Sequence, residues 1–241
     1  MPDYCKRWLL INYGKRDSSE VLEKEEKLTL KVSEGRLPPI LEIWIPSREC
    51  FVAGKNFFKR EEKKGLIDKL KGEGIIPVIR SSGGEIILHD STCLNFGLIS
   101  PRNILSLPFD MGRIFTFFLS GIFLYLKKNK IPCYFGKTKV FCPGRYDILV
   151  EGKKIAGNAL LLRKNFCLVH GTLFVNTEKF YLEKMKLFYP SIEDELTSLK
   201  ILMKKEIKME KVVEEVVESY KKSLKVNFFT LPFDKIKNLS P

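Results

Sequence analysis

The chain has 241 residues, of which 42 are basic and 29 acidic, so its formal net charge is +13. With 44% hydrophobic and 29% charged residues, the composition is that of a soluble globular protein with a large core. The positive balance predicts an acidic partner, but the basic residues are scattered as Lys-Lys pairs without a long basic arm, so nucleic-acid binding is not expected as the main function. The six cysteines lack metal-ligand spacing, which predicts that the protein has no structural zinc site. No apolar signal peptide precedes them, so we predict a cytoplasmic protein with reduced thiols.

The first third of the chain alternates apolar runs with charged helical stretches. Arg7 to Tyr13 predicts a strand, and Ser18 or Ser19 caps a helix that runs to about Val32. A pair of strands, a charged surface helix and a buried strand follow, and these are predicted at 41–45 with 50–53, at 59–71 and at 75–79.

The most apolar segment is Ile114 to Leu126, and Lys127 and Lys128 follow it directly. Its 13 residues fall short of the roughly 20 that a helix needs to cross a bilayer. We therefore predict a single buried helix here and no membrane association.

The second half of the chain predicts strands first and then helices. The strands are expected at 131–135, 146–150, 155–159, 166–170 and 172–175, and the helices at 177–188 and 202–222. Strands in hairpins with helices packed on them predict an α+β fold with a mixed, mostly antiparallel sheet.

A polar turn with two glycines follows the buried strand. Arg80 ends the strand, and Ser81, Ser82, Gly83 and Gly84 form the turn. Exposed backbone N–H groups beside a guanidinium group favour a bound anion. The alternative is an ordinary hairpin turn, since two glycines after a strand are common.

A second turn, about seventy residues later, places a lysine among small residues. Glu151 to Lys154 form the turn, and Ile155 to Ala159 continue with small side chains that leave room for a neighbouring group. A lysine on such a hairpin can hold a phosphate and a carboxylate together. A solvated turn lysine is the simpler interpretation of Lys153, and for Lys154 both interpretations remain open.

These two blocks, together with His170 to Leu173, resemble the lipoate-protein ligase family, and Trp44 with Val52 to Asn56 is similar to a weaker block upstream. The similarity runs from about Leu41 to Val175. The resemblance implies a biotin/lipoate ligase-like catalytic domain at 1–200, with 201–241 as a helical tail packed on it.

The resemblance also implies a reaction in two steps. Lipoate and ATP, with Mg²⁺, would form lipoyl-AMP, and a lysine of an acceptor would then take the lipoyl group. The implied acceptors are the lipoyl domains of 2-oxoacid dehydrogenase E2 subunits or the glycine cleavage H protein. Lys154 is the expected catalytic residue, since one positive charge can serve both steps, and Asp147 is a possible Mg²⁺ ligand.

Further site residues follow from the same resemblance. The residues expected to bind ATP are Arg80, Glu85, Ile86, Ile87, Leu88 and Lys154. Those expected to bind lipoate are Ser82, Gly83, Gly84, His89, Lys154 and Gly157. Acid/base roles for His89 and His170 are not expected, because a histidine at these positions more often serves a structural hydrogen bond.

Three features depart from the family pattern. Glu85 stands where the family has a third glycine, Tyr146 replaces an asparagine, and the 42 residues after Leu199 are expected to be too few for a full accessory domain. Glu85 brings a negative side chain close to the expected nucleotide phosphates, which bears directly on ATP binding.

The same blocks also resemble octanoyltransferases, which carry the acyl group on a cysteine. Cys142 lies near that position, displaced by three residues from Lys139, where a gapless alignment places the family cysteine. A ligase needs no covalent intermediate. If the chain is a ligase, we therefore predict that Cys142→Ser leaves acceptor modification intact. Transfer of preformed lipoyl-AMP and non-catalytic binding of lipoyl domains are further alternatives, whereas a biotin ligase is disfavoured because its Gly-Arg-Gly-Arg loop is missing.

Overall fold

The computed structural model describes residues 6–231 except 73, 74, 76, 106–109 and 141–143. The helices are α1 Ser18–Ser33, α2 Glu61–Gly72, α3 Met111–Phe118, α4 Ser120–Lys128, α5 Lys179–Lys186, α6 Ile192–Glu195, α7 Leu199–Met203 and α8 Met209–Leu224. The strands are β1 Arg7–Arg16, β2 Ile40–Pro46, β3 Cys50–Gly54, β4 Val78–Arg80, β5 Ile87–His89, β6 Cys93–Pro101, β7 Tyr134–Gly136, β8 Asp147–Val150, β9 Lys153–Leu162, β10 Phe166–Phe174 and β11 Asn227–Phe229.

Eight strands form one mixed sheet in the order β11-β1-β2-β6-β10-β9-β8-β7. The two pairs that β1 makes with β11 and β2 are parallel, and the other five pairs in this sheet are antiparallel. A second sheet has the order β4-β3-β5. The predicted α+β class with a mostly antiparallel mixed sheet is confirmed.

Alternation along the strands gives the large sheet two buried faces. On β6, Leu94, Phe96 and Leu98 face the core that α3, α4 and α8 cover. Ile99, on the opposite side of β6, packs in the core that α1 covers with Val21. The small sheet has its own core with α2 and α5.

Two predicted elements differ from the structure. The predicted pair of strands at 41–45 and 50–53 does not form, since β2 pairs with β1 and β6 while β3 belongs to the second sheet. The predicted single apolar helix is broken into α3 and α4 at Leu119. There the Ser120 hydroxyl donates to the Phe117 carbonyl at 2.7 Å, which competes with regular helical bonding.

The region after residue 200 contains more than a helix. Lys204, with a φ of 53°, ends α7, and α8 then packs on α4 so closely that a Cβ at Gly121 would lie 2.3 Å from the Tyr220 ring. Strand β11, which was not predicted, pairs with β1. The division between catalytic domain and tail at residue 200 stays a prediction. No helix within the described residues is both long and apolar enough to span a membrane.

Candidate active site

The register of four strands places the site on the α1 face of the large sheet. Glu42, Gly97, His170 and Ala159 lie side by side in one row across β2, β6, β10 and β9. The row two residues along contains Trp44, Asn95, Thr172 and Gly157. Polar side chains therefore alternate with very small residues, which leaves a pocket above the sheet.

Glycine at position 97 makes room for a buried acid. A Cβ at Gly97 would lie 2.6 Å from Glu42 Oε1 and 3.2 Å from Glu25 Oε2, so a side chain there would displace both carboxyl groups. Burial, and then the proximity of Glu25, raises the pKa of Glu42 well above its ordinary value. Burial also raises the pKa of Glu25 to about 8. At neutral pH Glu25 is therefore predominantly protonated.

His170 connects this buried acid to the glycine turn. Its Nδ1 lies 2.8 Å from Glu25 Oε2 and its Nε2 contacts the Ser82 hydroxyl. Burial, and then the charge of Arg80, lowers the pKa of His170 to about 3, so the ring is neutral. With Glu25 protonated, the carboxyl donates to Nδ1 and Nε2–H donates to Ser82, whose hydroxyl donates to the Gly83 carbonyl at 3.4 Å.

His89 is the centre of a second buried hydrogen-bond chain. Trp44 Nε1 donates to the Ser18 hydroxyl at 3.2 Å, which lies 3.0 Å from His89 Nδ1. The Thr172 hydroxyl donates to Asn95 Oδ1 at 2.6 Å, so it accepts from His89 Nε2–H at 3.3 Å. Burial, and then Arg80, lowers the pKa of His89 to about 3. Both ring nitrogens of His89 thus have hydrogen-bond partners within the protein.

Lys154 and Asp147 form a buried ion pair at the far side of the pocket. Lys154 Nζ lies 2.7 Å from Asp147 Oδ2, and the lysine side chain is fully buried. The ammonium also donates to the Val140 carbonyl at 2.8 Å. Burial raises the pKa of Asp147, and the Lys154 charge opposes that rise. Without a Cβ, Gly157 leaves space beside the lysine stem, since a Cβ there would lie 3.8 Å from Lys154 Cδ.

The predicted Mg²⁺ ligand therefore already has a cation. Asp147 Oδ1 accepts from the Asn158 amide at 3.3 Å, while Oδ2 faces Lys154. A divalent ion on the same carboxylate would stand against the ammonium group, and the described residues contain no cluster of three metal-ligating side chains. This carboxylate does not fit Mg²⁺ while Lys154 is paired with it, and its metal role remains only a prediction.

Arg80 holds the glycine turn in place. Its guanidinium donates to the carbonyls of Gly83 at 3.1 Å, Glu85 at 3.1 Å and Val52 at 3.5 Å. The turn also lies against β3, where Gly54 N donates to the Gly84 carbonyl at 3.2 Å. These contacts make Arg80 a structural anchor of the turn, whether or not it also contacts an anion.

Glu85 forms an ion pair with Arg60 at the edge of the pocket. The carboxylate accepts from Arg60 Nη2, and its side chain lines the pocket. Of the other residues expected to bind ATP, Ile86 and Leu88 are buried in the core of the second sheet. Ile87 lines the pocket while pairing with Val52. Apart from Arg80 and Lys154, the predicted nucleotide side is thus apolar or consists of Glu85 paired with Arg60.

The pocket, counting its open mouth, has about 530 Å³ of empty space. It brings together seven of the predicted site residues, namely Arg80, Glu85, Ile87, His89, Asp147, Lys154 and Gly157. Ser82 lies just behind it on His170, and a Cβ at Gly83 would meet no neighbouring atom within 4 Å. The sequence analysis missed Leu22 and Asn158, which also line it. Asn158 follows from the register of β9, and Leu22 from the packing of α1 on the sheet, and a single sequence reveals neither.

Cys142 lies outside the described residues. The four cysteines that are described, Cys50, Cys93, Cys133 and Cys167, are free. Burial raises the pKa of each of these thiols, to about 11 for Cys133 and about 12 for Cys167. None of the four therefore has the depressed pKa that an activated thiolate requires.

Comparisons with curated proteins point to one activity. Residues 17–221 match the family model of the lipoyl protein ligase A/B catalytic domain. Octanoyltransferase LipM of Staphylococcus aureus is 28% identical over 182 residues, which cover 69% of this chain and 65% of that protein. Octanoyltransferase LipM of Macrococcus caseolyticus is 26% identical, with 92% of this chain and 88% of that protein covered. Octanoyl-[GcvH]:protein N-octanoyltransferase of Lysinibacillus sphaericus is 26% identical, with 61% and 52% covered.

Solved structures share the fold. The crystal structure of lipoate-protein ligase A bound with ATP superposes with a TM-score of 0.76 at 22% identity, covering 97% of this chain and 91% of that one. A Thermoplasma acidophilum protein with bound lipoic acid superposes with a TM-score of 0.73 at 21% identity, covering 97% and 92%. The prediction that this chain is an ATP-dependent lipoate-protein ligase is wrong, because the curated relatives are octanoyltransferases.

Proposed function

Because the chain belongs to the lipoyl protein ligase A/B catalytic domain family, we propose that it is an octanoyltransferase. It takes an octanoyl group from a carrier thioester and transfers it to a lysine of a lipoyl domain. One observation in the pocket carries the proposal. Glu85 forms an ion pair with Arg60 at the pocket edge, which is where the resemblance to the ligases implies the nucleotide phosphates. A carrier thioester is already activated and needs no nucleotide.

The acyl group passes through Cys142. Its thiolate attacks the octanoyl thioester carbonyl, a new C–S bond forms, and the donor sulfur leaves and takes up a proton. The ε-amino group of the acceptor lysine then attacks the acyl-cysteine. An amide bond forms, the Cys142 thiolate is released, and the attacking nitrogen loses its proton to solvent.

Lys154 supplies the positive charge that this chemistry needs. Its ammonium donates to the carbonyl of Val140, and only residue 141 separates Val140 from Cys142 in the chain. A cation beside a thiol lowers its pKa, and the same charge stabilises the oxyanion of the tetrahedral intermediate. In the proposed mechanism Lys154 has both roles.

The acyl chain fits the apolar part of the pocket. The pocket has apolar walls formed by Leu22, Trp44 and Val52. Because Gly157 has no side chain and Ala159 has a small one, they leave space above the sheet. The neutral, internally bonded histidines add no charge to this wall. A saturated chain can therefore be buried there without leaving an ionised group unpaired.

The acceptor is a lipoyl domain of a glycine cleavage H protein or of an E2 subunit. In the name of the Lysinibacillus sphaericus relative, GcvH bears the octanoyl group and passes it to a second protein, which supports lipoyl-domain proteins as partners here.

Intact-mass spectrometry of a purified lipoyl domain tests the proposal. The domain is incubated with the protein and one of three donors: octanoyl-acyl carrier protein, octanoyl-AMP, or octanoate with ATP and Mg²⁺. We expect an octanoyl mass shift with the carrier thioester and none with octanoate and ATP. Modification that requires ATP would refute the proposal.

The role of Cys142 is tested with a matched thiol. We expect Cys142→Ser to abolish transfer and Cys133→Ser to retain it. A thioester on the intact protein, trapped without acceptor and cleaved by neutral hydroxylamine, identifies the intermediate. If Cys142→Ser transfers normally, the covalent route is wrong.

A further inference from the structure

A long stretch of this chain carries positive charge alone. Between residues 111 and 146 there are seven basic residues and no acidic one, which is more than half of the net charge of +13. All seven are exposed: one lies on α3, two lie at the end of α4, and four lie in the segments before and after β7. Like charges concentrated in one stretch of the chain favour an anionic partner, since they repel one another in the isolated protein.

An apolar groove opens within this basic stretch. It is lined by Phe123, Leu124, Ile131 and Pro132, together with Lys127 and Lys130, and we refer to it as the basic groove. Its empty volume, including its open side, is about 1140 Å³. Both lysines are exposed. Neither of them forms an ion pair with another described residue. Apolar surface flanked by unpaired cations suits a protein partner that presents both carboxylates and apolar side chains.

A row of aromatic rings runs from the basic groove to the sheet edge beside the active site, on the opposite face of the sheet from the pocket. The Phe123 ring contacts Phe135 on β7 with 4.7 Å between centroids, and Phe135 contacts Tyr146 at 5.8 Å. Tyr146 directly precedes Asp147, the partner of Lys154. Cys133 lies at the groove, three residues before Gly136, and Gly136 pairs with Asp147. The distance along the strand from Cys133 to Gly136 is therefore roughly 10 Å.

Acidic groups around the groove do not neutralise it. On the side where α4 meets α8, Glu215 approaches Tyr125 and raises its pKa together with burial, and Lys128 donates to Ser219. Beyond β7, Glu195 accepts from the Lys139 backbone amide. These carboxylates lie beside other faces, and Lys127 and Lys130 remain directed at the groove.

We propose that the basic groove docks the acyl donor, a small acidic carrier protein that bears the octanoyl group as a thioester on a flexible arm. This inference rests on the proposed transferase function. A carrier seated here contacts the lysines with its carboxylates, while its arm extends along β7 toward Asp147 and Lys154. The sheet edge at β7 is where an arm can enter without crossing the glycine turn.

The experiment compares two donors and two matched variants. In the groove variant, Lys127→Glu is combined with Lys130→Asn, because asparagine tolerates the positive φ of 59° at position 130. In the control variant, Lys69→Glu is combined with Lys71→Asn in the last turn of α2, which gives the same change of charge. The donors are octanoyl-acyl carrier protein and octanoyl-pantetheine, which lacks the protein part.

For the groove variant we expect the KM for octanoyl-acyl carrier protein to rise about tenfold or more. Transfer from octanoyl-pantetheine and both reactions of the control variant should stay unchanged. The KM of the wild type should also rise with salt, more steeply than that of the groove variant. An unchanged KM for the carrier in the groove variant would overturn the inference.

Direct binding separates this inference from the proposed function. Fluorescence anisotropy with labelled holo-acyl carrier protein measures docking even if no transfer occurs from any donor. Lysine-dependent binding with no transfer would support docking and refute the octanoyltransferase. Tighter lysine-dependent binding to anionic vesicles or an oligonucleotide than to the carrier would overturn the docking proposal.

Discussion

Replacing Lys154 by methionine keeps the volume of the side chain but removes its charge. Lys154 is fully buried and Asp147 nearly so, so the variant leaves a carboxylate in the core without its cation. Breaking a buried pair in this way costs roughly 3–5 kcal/mol. For a chain of this size, about 2–4 °C per kcal/mol corresponds to a melting temperature lower by roughly 6–20 °C.

The double variant Lys154→Met/Asp147→Asn distinguishes a structural from a catalytic contribution. Removing both charges should recover most of the lost stability, because replacing a buried pair by neutral groups is often close to neutral. Octanoyl transfer should not recover, since the Lys154 charge acts on the thiol and the oxyanion. Calorimetry measures the stability, and the mass assay measures transfer.

The single variant should also depend on pH. Burial raises the pKa of Asp147, and loss of the opposing lysine raises it further. A raised folded-state pKa means that the folded protein holds the proton more tightly, so stability falls as pH increases from the ordinary value through the raised one. The destabilisation of Lys154→Met should therefore shrink toward acidic pH. A penalty that is constant with pH, or full transfer by the double variant, would refute the reasoning.

Three further predictions concern the turn, the histidines and the ion pair at the pocket edge. Gly54→Ala would bring a Cβ within 2.9 Å of backbone atoms of the glycine turn, so it should lower stability by about 1–3 kcal/mol and slow transfer. The control Gly65→Ala, whose Cβ would have no atom within 4 Å, should do neither. Denaturant titration measures the stability of both variants, and the mass assay measures their transfer. Burial lowers the pKa of His89 and of His170 to about 3. The neutral rings therefore contribute their full stability above the ordinary histidine pKa of 6.5, and stability should fall as the pH drops from about 6.5 to 3. His89→Gln should flatten that fall in acid unfolding curves, and an unchanged curve would contradict a neutral buried His89. ATP should leave the melting temperature of the wild type unchanged and raise that of Glu85→Gly, because the substitution removes the carboxylate paired with Arg60; a shift in the wild type would count against exclusion of nucleotide.

The sequence predicted the parts of the site that depend on local chemistry. Arg80 beside the glycine turn and Lys154 on its hairpin line the same pocket, because each block places its functional residue next to a turn or strand end. The α+β class was also predictable, since strand and helix periodicities differ. Likewise, the buried apolar stretch around α4 was recognisable from its length and composition.

Contacts between distant residues were not predictable from one sequence. Glu25 and His170 are separated by 145 positions, and Arg60 and Glu85 by 25. The break between α3 and α4 lies beside Gly121, which packs against the ring of Tyr220. The activity itself was predicted wrongly, because the same sequence blocks resemble both the ligases and the octanoyltransferases.

The position of β11 affects how the chain folds during synthesis. β1 is the first strand described, and its outer edge is paired only by Asn227–Phe229 near the end of the described chain. At about 5–20 residues per second, a ribosome needs roughly 10–45 s to produce the intervening chain. During that time the backbone groups along the outer edge of β1 are open to other strands. A nascent or truncated chain that lacks β11 is therefore the form of this protein most exposed to edge-to-edge aggregation.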